Sequence, residues 1–270
     1  MNDYQTELNI AKELASEAGK IMLGYFNSGA SNPTLKSDRT IVTKADTDIN
    51  DLVIKVLNEK TPSYSVWGEE QSSILSDSEY TWVCDPVDGT QPFAKVIPIS
   101  TFSLALVNKD GNSVVGVVYD PFQDRLYEAV VGKGAFLNGK KITVSATNDL
   151  NGAYLDEELW INHEEQVSFD DPKDDLNKAG AKVTTLCSAC ITGCFVAQGS
   201  YDALLFGQGK PEDIAALSVI VTEAGGKVTD LFGNKQRYDT NIKGAIVSNG
   251  LIHEALVEKL QGINYRSKYL

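Results

Sequence analysis

Apolar positions Leu8, Ile10, Ala11, Leu14, Ala15, Ala18, Ile21, Met22 and Tyr25 recur at helical spacing over residues 4–26 and give way to Asn27-Ser28-Gly29. This predicts a packing helix with a clear stop. After a polar turn over 31–38, Thr43-Lys44-Ala45-Asp46-Thr47-Asp48 opens a second helix carrying Ile49, Leu52, Val53, Val56 and Leu57, which ends before Thr61-Pro62. Tyr64-Ser65-Val66-Trp67 reads as a short strand that delivers Gly68-Glu69-Glu70. A Ser/Asp-rich loop over 71–79 leads to a second apolar run, Trp82-Val83-Cys84. That run ends in Asp85-Pro86-Val87-Asp88-Gly89-Thr90, with Pro92 placed to open a helix.

The pattern then becomes strand-like. Residues 99–107, 114–119 and 125–131 are apolar-patterned, and Asn108-Lys109-Asp110-Gly111-Asn112 supplies a hairpin turn. Residues 132–139 continue as turn, short strand and turn, so a meandering sheet is expected. Composition turns polar at 145–152 and strongly acidic with weak patterning at 160–180, through Glu164, Glu165, Asp170, Asp171, Asp174 and Asp175. A soft boundary there separates an N-terminal α+β part, residues 1–148, from a C-terminal α/β part, residues 149–270. In the second part, strands at 183–186, 201–206, 226–230 and 244–247 and helices at 188–198, 212–224 and 250–261 suit an α/β sublayer.

Composition narrows the function classes. With 270 residues and 42% apolar content the chain can bury a substantial core. A formal charge of −13, from 24 Lys+Arg against 37 Asp+Glu, argues against nucleic acid or an anionic membrane surface as partner. The N-terminus carries no basic and apolar leader pattern, and no apolar run approaches the roughly 18 residues of a spanning helix, so a cytoplasmic protein is expected. Cys187, Cys190 and Cys194 lack a fourth ligand of suitable spacing, and the last two share one face of a predicted helix. Reduced, buried thiols are expected rather than a metal site or disulfide. His163 lies in the acidic stretch and His253 in a C-terminal helix, neither in the surroundings of a catalytic base.

The chemistry concentrates at residues 82–93. Pro86 fixes φ and removes one N–H, which helps turn the chain so that Asp85, Asp88 and the carbonyl of Val87 converge. Oxygen ligands of this kind suit Mg²⁺ or Mn²⁺. Gly89 permits close backbone approach, and the N–H groups of Gly89 and Thr90 can face an anion at a helix start. A hard cation beside an anion pocket is the apparatus of phosphoryl transfer. Haloacid-dehalogenase phosphatases use carboxylates two residues apart and a covalent aspartyl phosphate. The spacing of three, with proline between, argues against that mechanism. Helix capping explains Asp46 or Asp48 taken alone, and Glu69-Glu70, ordinarily a solvated pair, stand at the end of a predicted strand where α/β proteins place ligands.

Gly68-Glu69-Glu70, Asp85-Pro86-Val87-Asp88-Gly89-Thr90, Glu212-Asp213-Ile214-Ala215-Ala216 and Val221-Thr222-Glu223-Ala224-Gly225-Gly226 resemble the signatures of the inositol monophosphatase family. The resemblance implies a layered α/β fold, the αβαβα sandwich of the inositol monophosphatase and fructose-1,6-bisphosphatase type. It also implies a lithium-sensitive, metal-dependent phosphomonoesterase, usually a homodimer, in which water attacks a small phosphorylated metabolite directly. By position it gives Glu69, Asp85 and the Val87 carbonyl to one Mg²⁺, Asp85, Asp88 and Asp213 to a second, and Glu69 with Glu70 to a third. It makes Thr90, polarised by Asp46, the partner of Glu69 in activating water, places Lys36 near the site, and matches Ser188 and Ala189 to positions that touch substrate.

Three departures bear on the substrate. Gln91-Pro92-Phe93 stands where the family usually has x-Asn-Phe. Glu212-Asp213 replaces Trp-Asp, adding negative charge and widening the site, and Phe206 occupies the position of a glutamate that binds a sugar hydroxyl in inositol-specific members. The expected substrate is a small polyol, sugar or related phosphate monoester, with histidinol phosphate, fructose 1,6-bisphosphate and nucleotide 3′-phosphates as further classes. A non-catalytic phosphate- or metal-binding regulatory member of the same fold is the alternative.

Overall fold

The computed structural model describes residues 3–29, 33–36, 40–159 and 172–261. Helix α1, Gln5–Ser28, stops at Gly29, whose φ of 65° lets its N–H turn back to the Phe26 carbonyl. Strands β1, Thr34–Leu35, and β2, Ile41–Val42, form a small antiparallel pair ahead of α2, Lys44–Lys60. Then follow β3, Ser65–Gly68, and β4, Tyr80–Asp88, with a short helix α3, Thr90–Ala94, after them. Strands β5, Thr101–Asn108, β6, Ser113–Asp120, β7, Arg125–Val130, β8, Gly134–Leu137, and β9, Lys140–Lys141, complete a seven-stranded sheet in sequential order. Only the β3–β4 pairing is parallel; the rest is the expected meander.

The second sheet uses β10, Tyr154–Glu158, β11, Lys182–Thr184, β12, Ala203–Phe206, β13, Lys227–Thr229, and β14, Ala245–Ser248, in the order β11-β10-β12-β14-β13. Helices α4, Pro172–Lys178, α5, Ala189–Ala197, α6, Ala215–Glu223, and α7, His253–Leu260, cover it. Besides α4 and the two-residue strands β1, β2 and β9, which the sequence pattern does not show, two elements differ from it. Strand β10 lies where the pattern shows no strand, because three of its five residues are acidic; Asp156 and Glu158 are nonetheless buried and hydrogen-bonded. The helix expected over 212–224 is a 3-10 turn, Pro211–Asp213, followed by α6. The Ile214 N–H closes the tighter i→i+3 bond on the Pro211 carbonyl before the α-helical ladder begins. His163 and the acidic residues Glu164 to Asp171 lie outside the described residues.

Strand alternation sorts side chains into three apolar layers. Trp82, Cys84, Phe102, Leu104 and Leu106 face α1 and α2, whereas Val83, Ala105 and Val107 face α5 and α6. From the other sheet, Leu204, Phe206, Ala245 and Val247 enter that same central layer, and Leu205 and Ile246 face α4 and α7. The stacking is helices, sheet, helices, sheet, helices, an αβαβα sandwich. A side chain at Gly116 of β6 would come within 2.6 Å of the Ala216 carbonyl, so glycine there lets α6 lie directly on the first sheet. Cys84, Cys190 and Cys194 are buried free thiols and Cys187 is half-buried. No helix among the described residues is long and apolar enough to cross a membrane.

Candidate active site

In a regular strand, residues three apart face opposite sides of the sheet. Asp85 and Asp88 nevertheless converge, because β4 bulges between them. Asp85 pairs with Ser103 and Asp88 with Thr101, so β4 takes three steps where β5 takes two. The extra residue falls at Pro86-Val87, where proline has no N–H to lose from the ladder. Both carboxylates are buried, at 3% and 4% exposure. Asp85 Oδ1 accepts the Val87 N–H at 3.0 Å, which holds the bulge. Gly89 follows with φ 76°, and a Cβ there would stand 3.0 Å from that of Ser188, so both its backbone conformation and its neighbour call for glycine.

Asp213 arrives on the 3-10 turn and brings a carboxylate oxygen within 4.8 Å of oxygens from Asp85 and Asp88. Three donors converge on Asp88 Oδ2: the Ser188 hydroxyl, the Cys190 N–H at 3.1 Å and the Thr101 hydroxyl at 3.2 Å. The start of α5 is thus aimed at this carboxylate, and Glu158 of β10 fixes it there by accepting the Ser188 N–H at 2.8 Å. Burial raises the pKa of Asp88 to about 6 against these donors. Asp85 is pushed well up by burial and then by the charges of Glu69, Asp213 and Asp88; burial and Glu212 do the same to Asp213. Three acids that repel one another, Asp85 and Asp88 buried and Asp213 half-buried, offer only oxygen and fit a hard divalent cation.

A second group lies beside the first. Asp46, Glu69 and Glu70 bring carboxylate oxygens within 4.8 Å of one another. Asp46 caps α2, accepting the Thr43 N–H at 2.8 Å and the Thr43 hydroxyl on Oδ2, and its Oδ1 lies 3.1 Å from the Thr90 hydroxyl. Capping and contact with Thr90 therefore coexist. Burial raises Asp46 to about 7 despite the Thr43 bonds. Thr90 Oγ1 also lies 2.9 Å from the Val87 carbonyl, and its single proton serves one acceptor at a time. Glu69 Oε1 takes Lys36 at 3.2 Å and Lys210 at 2.8 Å, while Lys36 also holds Glu70 at 2.5 Å. A side chain at Gly68 would collide with Asn50 Oδ1 at 2.3 Å, so glycine lets this strand end lie against α2.

Of the positions singled out in the sequence, Lys36, Asp46, Glu69, Glu70, Asp85, Val87, Asp88, Gly89, Thr90, Ser188 and Asp213 come together, and Ala189 begins α5 beside them. Phe206 does not join them. It is 1% exposed and packs in the central apolar layer. Glu212 is buried next to Asp213, with burial raising its pKa to about 7. Sequence reading missed Lys210, Thr101 and Glu158. Lys210 stands beside Pro211 in a segment without pattern, and Glu158 sits on the unrecognised β10, where acids inside an otherwise apolar stretch were the available signal.

A model of the inositol monophosphatase family matches residues 3–265. The chain is 35% identical over 269 residues to inositol monophosphatase 1 of Solanum lycopersicum, covering 96% of each chain. It is 30% identical over 254 residues to the histidinol-phosphatase of Chlorobaculum parvum, covering 93% of this chain and 95% of that one. The solved inositol monophosphatase of Anabaena superposes with a TM-score of 0.85 at 29% identity, covering 98% of each chain.

Proposed function

The chain belongs to the inositol monophosphatase family of phosphatases, and from that premise we propose that it is a Mg²⁺-dependent enzyme hydrolysing a small polyol, sugar or related phosphate monoester by direct attack of water. The convergence of Asp85, Asp88 and Asp213 on one point, beside the Thr90–Asp46 pair, carries this reading.

Asp85, Glu69 and the Val87 carbonyl would hold one ion, Asp85, Asp88 and Asp213 a second, and Glu69 with Glu70 a third; Mn²⁺ suits the same donors. When bound, the cations supply positive charge for the phosphoryl oxygens and make nearby water more acidic. The protein's own groups do the rest. Asp46 orients the Thr90 hydroxyl, and Thr90 and Glu69 together orient the attacking water and take up its proton. The first-turn N–H groups after Gly89 orient the phosphate, and Ser188 and Ala189, whose N–H groups are given to Glu158 and Asp88, would touch the substrate from the start of α5. The three-residue spacing of Asp85 and Asp88, with Pro86 between them and Asp85 Oδ1 holding the Val87 N–H, supports water rather than Asp85 as the nucleophile. Phe206, a buried phenyl ring at the position the resemblance gives to a glutamate, offers no carboxylate to a sugar hydroxyl. The two named relatives take their names from different phosphate esters, inositol and histidinol phosphates, which supports a substrate assignment at the level of class. The same family resemblance supports a cytoplasmic homodimer.

Phosphate release from a panel of inositol, histidinol, fructose 1,6-bis- and nucleotide 3′-phosphates, with and without Mg²⁺, tests the reading. Asp88→Asn should lower the Mg²⁺-dependent rate by about 10³-fold or more. Undiminished activity in this variant, or metal-independent activity in the wild type, would sink it.

A further inference from the structure

Lys210 immediately precedes the 3-10 turn Pro211–Asp213 and Asp213 ends it, so one short segment carries opposite charges into the two acid groups. Asp213 joins Asp85 and Asp88, whereas Lys210 places Nζ 2.8 Å from Glu69 Oε1 in the group of Asp46, Glu69 and Glu70. Pro211 fixes the backbone next to Lys210. The two groups differ in how their charge is balanced. Among the described residues no lysine or arginine pairs with Asp85, Asp88 or Asp213, while Glu69 and Glu70 together take Lys36 and Lys210.

Glu69 Oε1 accepts from both ammonium groups, Lys36 at 3.2 Å and Lys210 at 2.8 Å. A carboxylate oxygen offers about two lone-pair sites, so this one is filled. The side chains of Glu69 and Lys210 are only 13% and 21% exposed, which leaves little solvent to screen them. A divalent ion ligated by Glu69 needs those lone pairs and stands beside two positive charges. The lysines are not equivalent. Lys36 also reaches Glu70 at 2.5 Å and keeps a partner when it releases Glu69, but Lys210 pairs with Glu69 alone among the described residues. Lys210 is therefore the group left without its ion-pair partner when an ion takes that carboxylate.

We propose that Lys210 is the protein's own counter-ion at Glu69, one that a divalent cation must displace to use that carboxylate, a role that rests on reading Glu69 as a metal ligand. The Asp85–Asp88–Asp213 group, with no ammonium to displace, fills at lower cation concentration. Lys210 sets the concentration at which Glu69 follows.

Calorimetric titration of the metal-free protein with Mn²⁺ alone tests this without any substrate. Lys210→Met removes the charge while keeping most of the side chain's length, and it should tighten the binding of one ion by about tenfold. It should also lower the melting temperature of the metal-free protein, because Glu69 loses a counter-charge, and enlarge the rise that Mn²⁺ produces. A lysine that only braced Glu69 for its ion would give the opposite sign, weaker binding on removal. Lys210→Gln serves as the uncharged variant if the methionine one does not fold. In a Glu69→Gln background, Lys210→Met should leave Mn²⁺ affinity within about threefold, which separates displacement at Glu69 from a general gain in negative charge. Unchanged or weaker Mn²⁺ binding by Lys210→Met, or an equal gain with Glu69→Gln in place, would overturn the role of Lys210 alone. A wild type that binds no Mn²⁺ would overturn the reading of Glu69 as a metal ligand with it.

Discussion

Ser188 donates its hydroxyl to Asp88 Oδ2 across a hundred residues of sequence, joining the first turn of α5 to the bulge of β4. The bond ties the second sheet's helix to the first sheet's carboxylate cluster, because the Ser188 N–H is in turn held by Glu158 of β10. Ser188→Ala removes one of the three donors on Oδ2 and leaves the Cys190 N–H and Thr101 hydroxyl. The loss of a buried hydrogen bond to a charged group should cost about 1–3 kcal/mol of stability. Urea unfolding measures it. The Mg²⁺-dependent rate should fall as well, since the carboxylate is no longer held from the α5 side.

Thr90 carries a different expectation. Its hydroxyl sits between Asp46 Oδ1 at 3.1 Å and the Val87 carbonyl at 2.9 Å, so its orientation is set from both sides. Thr90→Ala should lower kcat by about 10²-fold or more, the scale of a positioned proton-handling group, while Thr90→Ser stays within about tenfold. Phosphate-release kinetics at saturating Mg²⁺ separate the two. Equal rates for the alanine and wild-type enzymes would remove the Thr90–Asp46 pair from the mechanism.

Gly89 and Gly29 form a matched pair for testing how far the fold depends on the approach of Ser188. Both have positive φ, 76° and 65°, but an added Cβ meets Ser188 Cβ at 3.0 Å in the first case and nothing within 4 Å in the second. Gly29→Ala should therefore cost only the backbone penalty of about 1 kcal/mol, and Gly89→Ala should cost about twice that or more. Gly89→Ala should also depress activity out of proportion to its stability loss, because the displaced groups are the Ser188 side chain, which donates to Asp88, and the Cys187 carbonyl. Paired urea unfolding and rate measurements check both halves.

The parts of the site legible in the sequence are those carried by short contiguous motifs. Asp85 to Thr90 lie on one strand and its following turn, and Glu69-Glu70 follow one strand end, so local chemistry marks them. Helix α1 was readable for a similar reason: its period of 3.6 runs unbroken from Leu8 to Tyr25. Lys210 and Glu158 were not legible, because what makes each matter is a partner far away in sequence, 141 residues in the case of Lys210 and Glu69. Asp46 shows the intermediate case. Its local capping pattern with Thr43 predicts one role correctly and conceals the contact with Thr90, which only packing of α2 against the β4–α3 turn creates. Strand β10 failed by composition. Buried acids satisfied by Thr184, Thr192 and Ser188 look, in one dimension, like a solvated loop.

His253 gives a prediction about stability rather than catalysis. Its imidazole is fully buried, with Nε2 2.9 Å from the Thr229 hydroxyl and Nδ1 2.8 Å from the Ser248 hydroxyl. Thr229 spends its own proton on the Asp230 carbonyl, so it must accept from Nε2–H; Nδ1 is then the bare nitrogen that accepts from Ser248. This neutral tautomer is fully satisfied, and a second ring proton would oppose the Ser248 proton. Burial, with a smaller contribution from Lys227, accordingly lowers the pKa to about 4 from its ordinary 6.5. The unfolded chain binds a proton between those two values where the folded protein does not, so the stability that His253 contributes is complete above pH 6.5 and drains away as pH falls toward 4. The amount is about 3 kcal/mol. His253→Gln should be less stable than wild type at pH 7.5, and the gap should narrow by about that amount at pH 4.5. The site carboxylates titrate alike in both proteins and cancel in the difference. A gap in urea-unfolding free energy that stays constant across this range would show that the ring is not held neutral.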